Sequence, residues 1–289
     1  DMQAYGQAKA GIWTAFGVVG VLPRQDEHVL GLWPADSTDK KALPRPRVSF
    51  GADLPQHPGD FGLSVDNGMT WLVRAAPSKD VHAKRGKPVE EVLNIQRLMP
   101  ADALRIRGQH NALNALAALA LASTCTNSLA PLLHGLREYP GEPHRLTPVA
   151  IVSDVEYVDD SKGTNVGATV AAITSLGAER RLVVIMGGDG KGQDFSPLID
   201  PVSHAVRALV LIGRDAKLLA EALQPTGVPI LHAADMAQAV QCAAEQAHTG
   251  DAVLLSPACA SLDMYANYVA RAQAFTEAVH ELQLMEGTA

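Results

Sequence analysis

The sequence predicts an α/β protein whose second half is a doubly wound, Rossmann-like sheet. From Val149 onward, short runs rich in Val, Leu and Ile alternate with longer helical stretches. That alternation is typical of parallel strands joined by right-handed helical crossovers. A segment with three prolines and a glycine, Glu138 to Val149, separates this half from a less regular first half. We therefore predict two domains, residues 1–141 and residues 142–289.

The second half divides into strands and helices by its hydrophobic pattern. Residues 149–158 are predicted to be extended, and helices are predicted where apolar residues recur at helical spacing. The predicted buried parallel strands are residues 181–188, 207–213, 228–234 and 251–257. The predicted helices are residues 165–177, 215–224, 235–248 and 265–285.

The first half predicts a sheet with long connections. Residues 18–100 contain many prolines and glycines between short extended pieces such as GLSV and MTWLV. Residues 111–124 are rich in alanine and leucine and predict a helix of high intrinsic propensity. A second helix is predicted at the start of the chain, and residues 82–87 are predicted to be a charged loop.

The amino-acid composition limits the classes of function that this protein can have. A net charge of -7 and only 4% aromatic residues argue against a nucleic-acid binder, so small-molecule partners are expected. The uncharged runs are shorter than the ~20 apolar residues of a membrane-spanning helix, and no membrane span is predicted. The three cysteines lack CxxC spacing, which fits a reducing cytoplasm. The chain is long enough for about two domains with separate cores.

Three polar loops follow predicted strands. They are DDSKGT (159–164), GGDGKGQDFS (187–196) and SPACASLD (256–263). Because the carboxyl ends of parallel strands share one edge of the sheet, we expect Lys162, Thr164, Lys191 and Ser261 to converge. The first loop also opens a helix, where backbone N–H groups favour anions. Arg145, at the domain junction, is within reach of a ligand held there.

The GGDGKG segment is not a Walker A loop, because Gly192 follows Lys191 where that motif needs Ser or Thr. A lysine among glycines can instead approach a carboxylate closely. A solvated turn with an incidental lysine is the alternative. Considered one at a time, these residues have ordinary structural explanations. Lys9 would be a solvated surface lysine, Asn111 a helix cap and Tyr268 a core residue.

Five segments together resemble the Mur ligase family. They are GQHNALNALAALALA (108–122), GEPHR (141–145), DDSKGTNVGAT (159–169), GGDGKGQDFSPL (187–198) and LLSPACASLDMYANY (254–268). The pair SPACASLD and GGDGK is similar to the branch that adds D-glutamate rather than alanine, diaminopimelate or a dipeptide. The opening DMQAYGQAK resembles the family segment that ends in a carbamylated lysine, which is Lys9 in this sequence.

The resemblance implies an ATP-dependent ligase of cytoplasmic peptidoglycan precursor synthesis. Its substrates would be UDP-N-acetylmuramoyl-L-alanine and D-glutamate, joined through an acyl phosphate, with ATP and Mg²⁺ as cofactors. Residues 1–141 would be the C-terminal part of the central ATP-binding domain and residues 142–289 the Rossmann-like domain that binds D-glutamate. The UDP-binding domain and the phosphate loop are expected upstream, so we expect no ligase activity from these residues alone. A monomer is expected.

The family's site residues carry over by motif. The implied catalytic residues are Lys9, Lys162 and Lys191, and a carbamylated Lys9 would also be the metal ligand. The implied ATP-binding residues are Asn111, Asn114, Arg145 and Asp160. The implied D-glutamate-binding residues are Lys162, Thr164, Lys191, Ser261, Leu262 and Tyr268.

Two alternatives stay open at the level of sequence. One is another amide ligase of the same superfamily, such as a folylpolyglutamate synthase. The other is a Rossmann-type dehydrogenase or nucleotide-binding module, which the sheet pattern alone would allow. The GxGxxG fingerprint expected after the first strand of such a module is missing from this sequence.

Overall fold

The computed structural model describes residues 2–15, 17–34, 45–77, 93–106, 108–126 and 128–286. The chain divides into two compact units, Asp1–Pro140 and Gly141–Ala289. Each unit has a hydrophobic core of its own. The charged segment predicted at residues 82–87 lies outside the described residues.

The first unit is a five-stranded sheet with helices. Its sheet has the order β1-β2-β3-β4-β5, in which β1, β2 and β3 run parallel while β4 is antiparallel to both β3 and β5. Leu116 and Leu119 of α3 share its core with Phe61 and Leu72 of the sheet. The elements are α1 (Met2–Ala10), β1 (Gly20–Pro23), α2 (Glu27–Leu32), β2 (Arg47–Phe50), β3 (Phe61–Asp66), β4 (Met69–Pro77), β5 (Leu93–Pro100), α3 (Gln109–Ser123) and α4 (Ala130–Glu138).

The second unit is a six-stranded sheet of order β10-β9-β8-β11-β7-β6. All its neighbouring strands are parallel except β6, which is antiparallel to β7 at the edge. The elements are β6 (Thr147–Val152), β7 (Val155–Asp159), α5 (Val166–Gly177), β8 (Leu182–Gly187), α6 (Ile199–Ala205), β9 (Val206–Ile212), α7 (Ala216–Leu223), β10 (Ile230–His232), α8 (Met236–Gln246), β11 (Ala252–Leu255) and α9 (Tyr268–Glu286).

Helices cover both faces of this sheet. Val184 and Met186 of β8 point into one core with α5, α6 and α7, whereas Val183 and Ile185 point into a second core with α8 and α9. Alternate residues of a strand face opposite sides, so strands buried on both faces read as continuous apolar runs. The predicted α/β, doubly wound fold is confirmed.

In the second unit, the structure differs locally from the sequence-based predictions. The extended stretch at residues 149–158 is a hairpin, because Ser153 and Asp154 turn with positive φ of 48° and 60°. Helix α6 was not predicted. Helix α9 begins at Tyr268 rather than Tyr265, because the side chain of Asn267 accepts a hydrogen bond from the backbone N–H of Ala270. Within the described residues, no helix is long and apolar enough to cross a membrane.

Candidate functional site

The candidate site lies at the carboxyl edge of three adjacent strands in the second unit. Strand β11 pairs with both β7 and β8, so the loops that follow these strands are neighbours. We call them the β7 loop (160–165), the β8 loop (188–195) and the β11 loop (256–263). Asp189 and Ala260 exchange backbone hydrogen bonds of 2.9 and 2.8 Å, which joins the β8 and β11 loops directly.

Glycines permit this close approach. Gly187 and Gly188 have positive φ of 129° and 127°. A β-carbon on Gly187 would lie 1.8 Å from the carbonyl oxygen of Ile212, and one on Gly188 would lie 2.1 Å from that of Ala260. Only glycine fits both the conformation and the space at these two positions.

A buried arginine ties the bases of the three loops together. Arg271 on α9 is only 1% exposed. Its Nη2 donates to the carbonyl of Ser161 at 3.0 Å, and its Nη1 donates to the carbonyls of Cys259 and Gly187 at 3.2 and 3.4 Å. Burial lowers the pKa of Arg271 to about 10. A planar guanidinium can reach three carbonyls at once, which a lysine ammonium cannot do from this geometry.

Asp160 is a buried carboxyl group at the start of the β7 loop. The hydroxyl of Ser256 donates to its Oδ2 at 2.7 Å and lies 2.9 Å from the hydroxyl of Thr169. Burial raises the pKa of Asp160 to about 7, although the hydrogen bond from Ser256, the backbone N–H of Leu146 and the charge of Arg145 all oppose that rise. The side chain of Arg145 is exposed.

A second cluster joins the β7 loop to the start of α9. The ammonium of Lys162 lies 4.0 Å from the ring centroid of Tyr268. That ring packs edge-on against His144 at 5.9 Å, and Nδ1 of His144 lies 2.7 Å from the carboxylate of Asp159. The backbone N–H of Lys162 also donates to the carbonyl of His144 at 3.0 Å. Lys162 is thus a cation held over an aromatic face at the edge of the site.

Lys191 sits at the tip of a tight turn in the β8 loop. Its φ is 52°, a left-handed conformation, and the backbone N–H of Gln193 closes the turn onto the carbonyl of Gly190 at 3.0 Å. The backbone N–H of Lys191 donates to the carboxylate of Asp189 at 2.9 Å, and that carboxylate also pairs with Arg214. The side chain of Lys191 is exposed.

Two backbone N–H groups in the first turn of α5 are hydrogen-bonded within the protein. The backbone N–H of Val166 donates to the side chain of Gln193 at 3.1 Å, and that of Ala168 donates to the side chain of Asn165 at 2.9 Å. These two donors are therefore not available to an anion, whereas the side chains of Lys162 and Lys191 on the neighbouring loops are exposed.

The remaining predicted D-glutamate residues lie on the same edge. Ser261 is buried in the β11 loop, Leu262 beside it is 68% exposed, and Thr164 is half-buried in the β7 loop. With Lys162, Lys191 and Tyr268, they belong to loops that the structure brings next to one another.

The other predicted site residues belong to the first unit. Asn111 and Asn114 lie on α3, where the Asn114 amide donates to the side-chain oxygen of Asn111 at 3.3 Å. Asn114 also lines a cavity of about 500 Å³ between α3 and α4, which is otherwise almost wholly apolar and ends at Tyr139. Lys9 is exposed on α1, with its ammonium 5.4 Å from the ring centroid of Tyr5.

Several residues that organise the site were not predicted from sequence. Thr169 and Ser256 gave no pattern of their own, since a hydroxyl at a loop or helix start is common. Arg271 did leave a signal: it falls on the apolar face of α9 with Phe275 and Val279. A charged residue on a buried helix face usually has a specific partner.

The fold is similar to that of several solved structures. UDP-N-acetylmuramate-alanine ligase MurC from Thermotoga maritima has a TM-score of 0.60 at 18% identity, over 97% of this chain and 56% of that chain. Folylpolyglutamate synthase from Mycobacterium tuberculosis, solved in complex with ADP, has a TM-score of 0.64 at 18% identity, over 96% and 59%. At such identity the likeness concerns the fold alone. Residues 144–259 match the family model for the Mur ligase glutamate ligase domain.

Relatives of higher identity match nearly the whole chain. A protein from Albidiferax ferrireducens is 58% identical over 100% of this chain and 57% of its own length, and one from Polaromonas is 59% identical over 99% and 49%. The chain is therefore similar to these relatives over nearly its whole length, and its residues 144–259 match the glutamate ligase domain of Mur ligases. Both relatives are named UDP-N-acetylmuramoylalanine--D-glutamate ligase, so the chain is similar to that member of the family. It spans about half the length of these curated relatives.

Proposed function

We propose that this chain is part of a ligase that joins D-glutamate to UDP-N-acetylmuramoyl-L-alanine at the expense of ATP, in the cytoplasm. The observation that supports the proposal is that Lys162, Lys191 and Ser261 lie on three loops at one sheet edge, which backbone hydrogen bonds and Arg271 join together. The names of the relatives supply the substrates. The small-molecule substrates need no partner protein, and we propose a monomer.

D-Glutamate has two carboxylates, and the site offers two lysines to meet them. Charge-assisted hydrogen bonds to carboxylates are short and about twice as strong as neutral ones. The hydroxyls of Ser261 and Thr164 supply neutral donors beside them, and Tyr268 and Leu262 border the pocket. We propose that Lys191 and Lys162 each bind one carboxylate and so direct the amino group away from the sheet edge, towards the second substrate.

The described residues fit an adenine nucleotide. The cavity beside Asn114 is apolar with a single amide at its edge, which suits a flat base whose ring atoms need one donor and one acceptor. Asn111, hydrogen-bonded to it, would orient that amide. In the second unit, Arg145 would meet phosphate and Asp160 the ribose. When bound, ATP would supply the γ-phosphoryl group that converts the carboxylate of the UDP-linked substrate into an acyl phosphate, with ADP as the leaving group, and the D-glutamate amine would then displace inorganic phosphate.

The described residues do not by themselves fit Mg²⁺. They contain no cluster of three side chains with metal-ligand chemistry. An unmodified Lys9 is a cation and would repel the ion, whereas its carbamate would present two anionic oxygens of the kind that Mg²⁺ prefers. Carbamylated Lys9 is therefore the proposed ligand of Mg²⁺ in this chain.

The chain's own contribution to catalysis is then positioning. Holding the D-glutamate amine beside an activated carboxyl group replaces a bimolecular encounter with a local one, which is among the largest single effects available to an enzyme.

The test is phosphate release by the full-length protein with ATP and UDP-N-acetylmuramoyl-L-alanine. We expect stimulation by D-glutamate and none by L-glutamate. Stimulation by a folate substrate with L-glutamate would favour a folylpolyglutamate synthase, and binding of a nicotinamide cofactor would favour a dehydrogenase. Absence of any D-glutamate stimulation would sink the proposal.

A further inference from the structure

We propose that Gln193 is a positioning residue that fixes the turn carrying Lys191, and thereby sets where the Lys191 ammonium meets a substrate carboxylate. The substrate in this inference rests on the proposed function. The way in which Gln193 holds the turn is independent of the substrate, because it depends only on hydrogen bonds from Gln193 to the β8 loop, the β11 loop and the start of α5.

The side-chain amide of Gln193 reaches all three elements around the site. Its Oε1 accepts from the backbone N–H of Val166 at the start of α5, at 3.1 Å. Its Nε2 donates to the carbonyls of Gly190 at 3.0 Å and Ala258 at 3.3 Å. A glutamine amide has two N–H groups, and both have a protein acceptor here. This amide is therefore a cross-link and not a solvated surface group.

The turn that Gln193 closes is strained. Lys191 and Gly192 both have positive φ, 52° and 70°. The left-handed conformation is unfavourable for a residue with a β-carbon, so Lys191 would leave it if the turn were released. The carbonyl of Gly190 receives two hydrogen bonds from Gln193, one from its backbone and one from its side chain.

Gln193 acts at a different level of the site from Arg271. Arg271 grips the β8 segment at Gly187, four residues before Lys191, and so fixes the base of the loop. The side chain of Gln193 lies on the far side of Lys191 and joins the tip of the loop to α5 and the β11 loop. Loss of Gln193 should therefore free the tip while the base and the sheet stay folded.

The experiment compares Gln193→Ala and Gln193→Glu with the wild type, using amide hydrogen exchange of the full-length protein. We expect exchange in residues 187–195 to rise about tenfold, which corresponds to the loss of one or two hydrogen bonds. Glutamate keeps an acceptor for Val166 but turns an oxygen towards the carbonyls of Gly190 and Ala258, so it should not rescue the turn. Gln273→Ala, an exposed glutamine on α9, is the matched control and should leave this exchange unchanged.

The kinetic readout is the Michaelis constant for D-glutamate, which should rise about tenfold in both variants while that for ATP stays within about twofold. Unchanged exchange in residues 187–195 would overturn the inference, as would a rise that extends equally to β9 and α8, because that would show general loosening. Lys191→Ala separates the two proposals. If it leaves D-glutamate kinetics unaltered, the proposed substrate pocket is wrong, and the exchange data alone decide the role of Gln193.

Discussion

The hydroxyl of Ser256 donates a 2.7 Å hydrogen bond to the buried carboxyl group of Asp160, 96 residues earlier in the chain. The same hydroxyl contacts Thr169, whose own hydroxyl accepts from the backbone N–H of Ala258 at 3.0 Å. A side-chain carboxyl, two hydroxyls and a backbone amide thus form one buried chain behind the β7 and β11 loops. Because of these hydrogen bonds, the ionisation of Asp160 should affect the stability of the folded protein, in addition to its proposed role in ligand binding.

We expect Asp160→Asn to stabilise the protein increasingly as pH rises. The folded-state pKa of Asp160 is about 7 against an ordinary 3.8, so the folded state holds a proton that the unfolded state has lost. That contribution to stability is full below about pH 4 and is lost as pH rises through about 7. Asparagine cannot ionise, so the variant does not lose this contribution to stability as pH rises.

Urea unfolding of Asp160→Asn and wild type between pH 4.5 and 8.5 measures this. The difference in free energy of unfolding should grow by roughly 1.4 kcal/mol for each pH unit between about pH 4 and pH 7 and level off above about pH 7. A difference that is constant across this range contradicts the assignment of the raised pKa to Asp160.

Lys191→Ala should raise the Michaelis constant for D-glutamate much more than that for ATP. Removing one charge-assisted hydrogen bond costs about 1.5–3 kcal/mol, or roughly a 10- to 100-fold change. Steady-state kinetics of the full-length protein gives both constants. Lys217→Ala, on α7 outside the three loops, is the control, and equal effects of Lys191→Ala on both substrates would count against its place in the pocket.

Two substitutions of Tyr268 should distinguish the contribution of its aromatic ring from that of its hydroxyl. Tyr268→Phe keeps the aromatic face 4.0 Å from Lys162, so D-glutamate kinetics should change by less than about twofold. Tyr268→Leu removes that face and should raise the Michaelis constant by about two- to fivefold, from a cation–π contribution of about 0.5–1 kcal/mol. Val269→Ala, exposed on the same helix, is the control. The idea fails if Phe and Leu behave alike.

Arg271→Met should destabilise the second unit by roughly 2–5 kcal/mol. Methionine fills much of the volume but leaves the carbonyls of Ser161, Gly187 and Cys259 buried without their donor. Arg271→Lys should recover only part of this, since an ammonium cannot span all three acceptors. Urea unfolding measures the loss, and Arg181→Met, which removes an exposed arginine, should cost less than about 1 kcal/mol. Similar losses at the two positions would refute the cross-linking role of Arg271.

The sheet of the second unit was predictable because burial on both faces makes each strand an unbroken apolar run. Helix α6 was not, because it is short and contains Pro201; a proline is tolerated there since it lies in the first turn. The ends of helices were also not predicted where a single side chain determines them. Asn267 does so for the start of α9.

The loops of the candidate site could be predicted from strand order, but the contacts between them could not. Lys162, Lys191 and Ser261 were expected on one edge because parallel strands end together. The partners of Arg271 lie 110, 84 and 12 residues away and are backbone carbonyls, which carry no trace in the sequence. The same holds for Gln193, whose amide partners are all main-chain atoms.

The guanidinium of Arg271 is held by carbonyl dipoles and not by a carboxylate, and this has a bearing on ionic strength. Dissolved ions screen the interactions between exposed charges, with a Debye length of about 10 Å at 0.1 M salt. They have no access to a buried cation whose acceptors carry no formal charge. The hydrogen bonds of Arg271 that align the loops should therefore not weaken with salt concentration. The exposed lysines on these loops should bind an anionic substrate less tightly as the salt concentration rises.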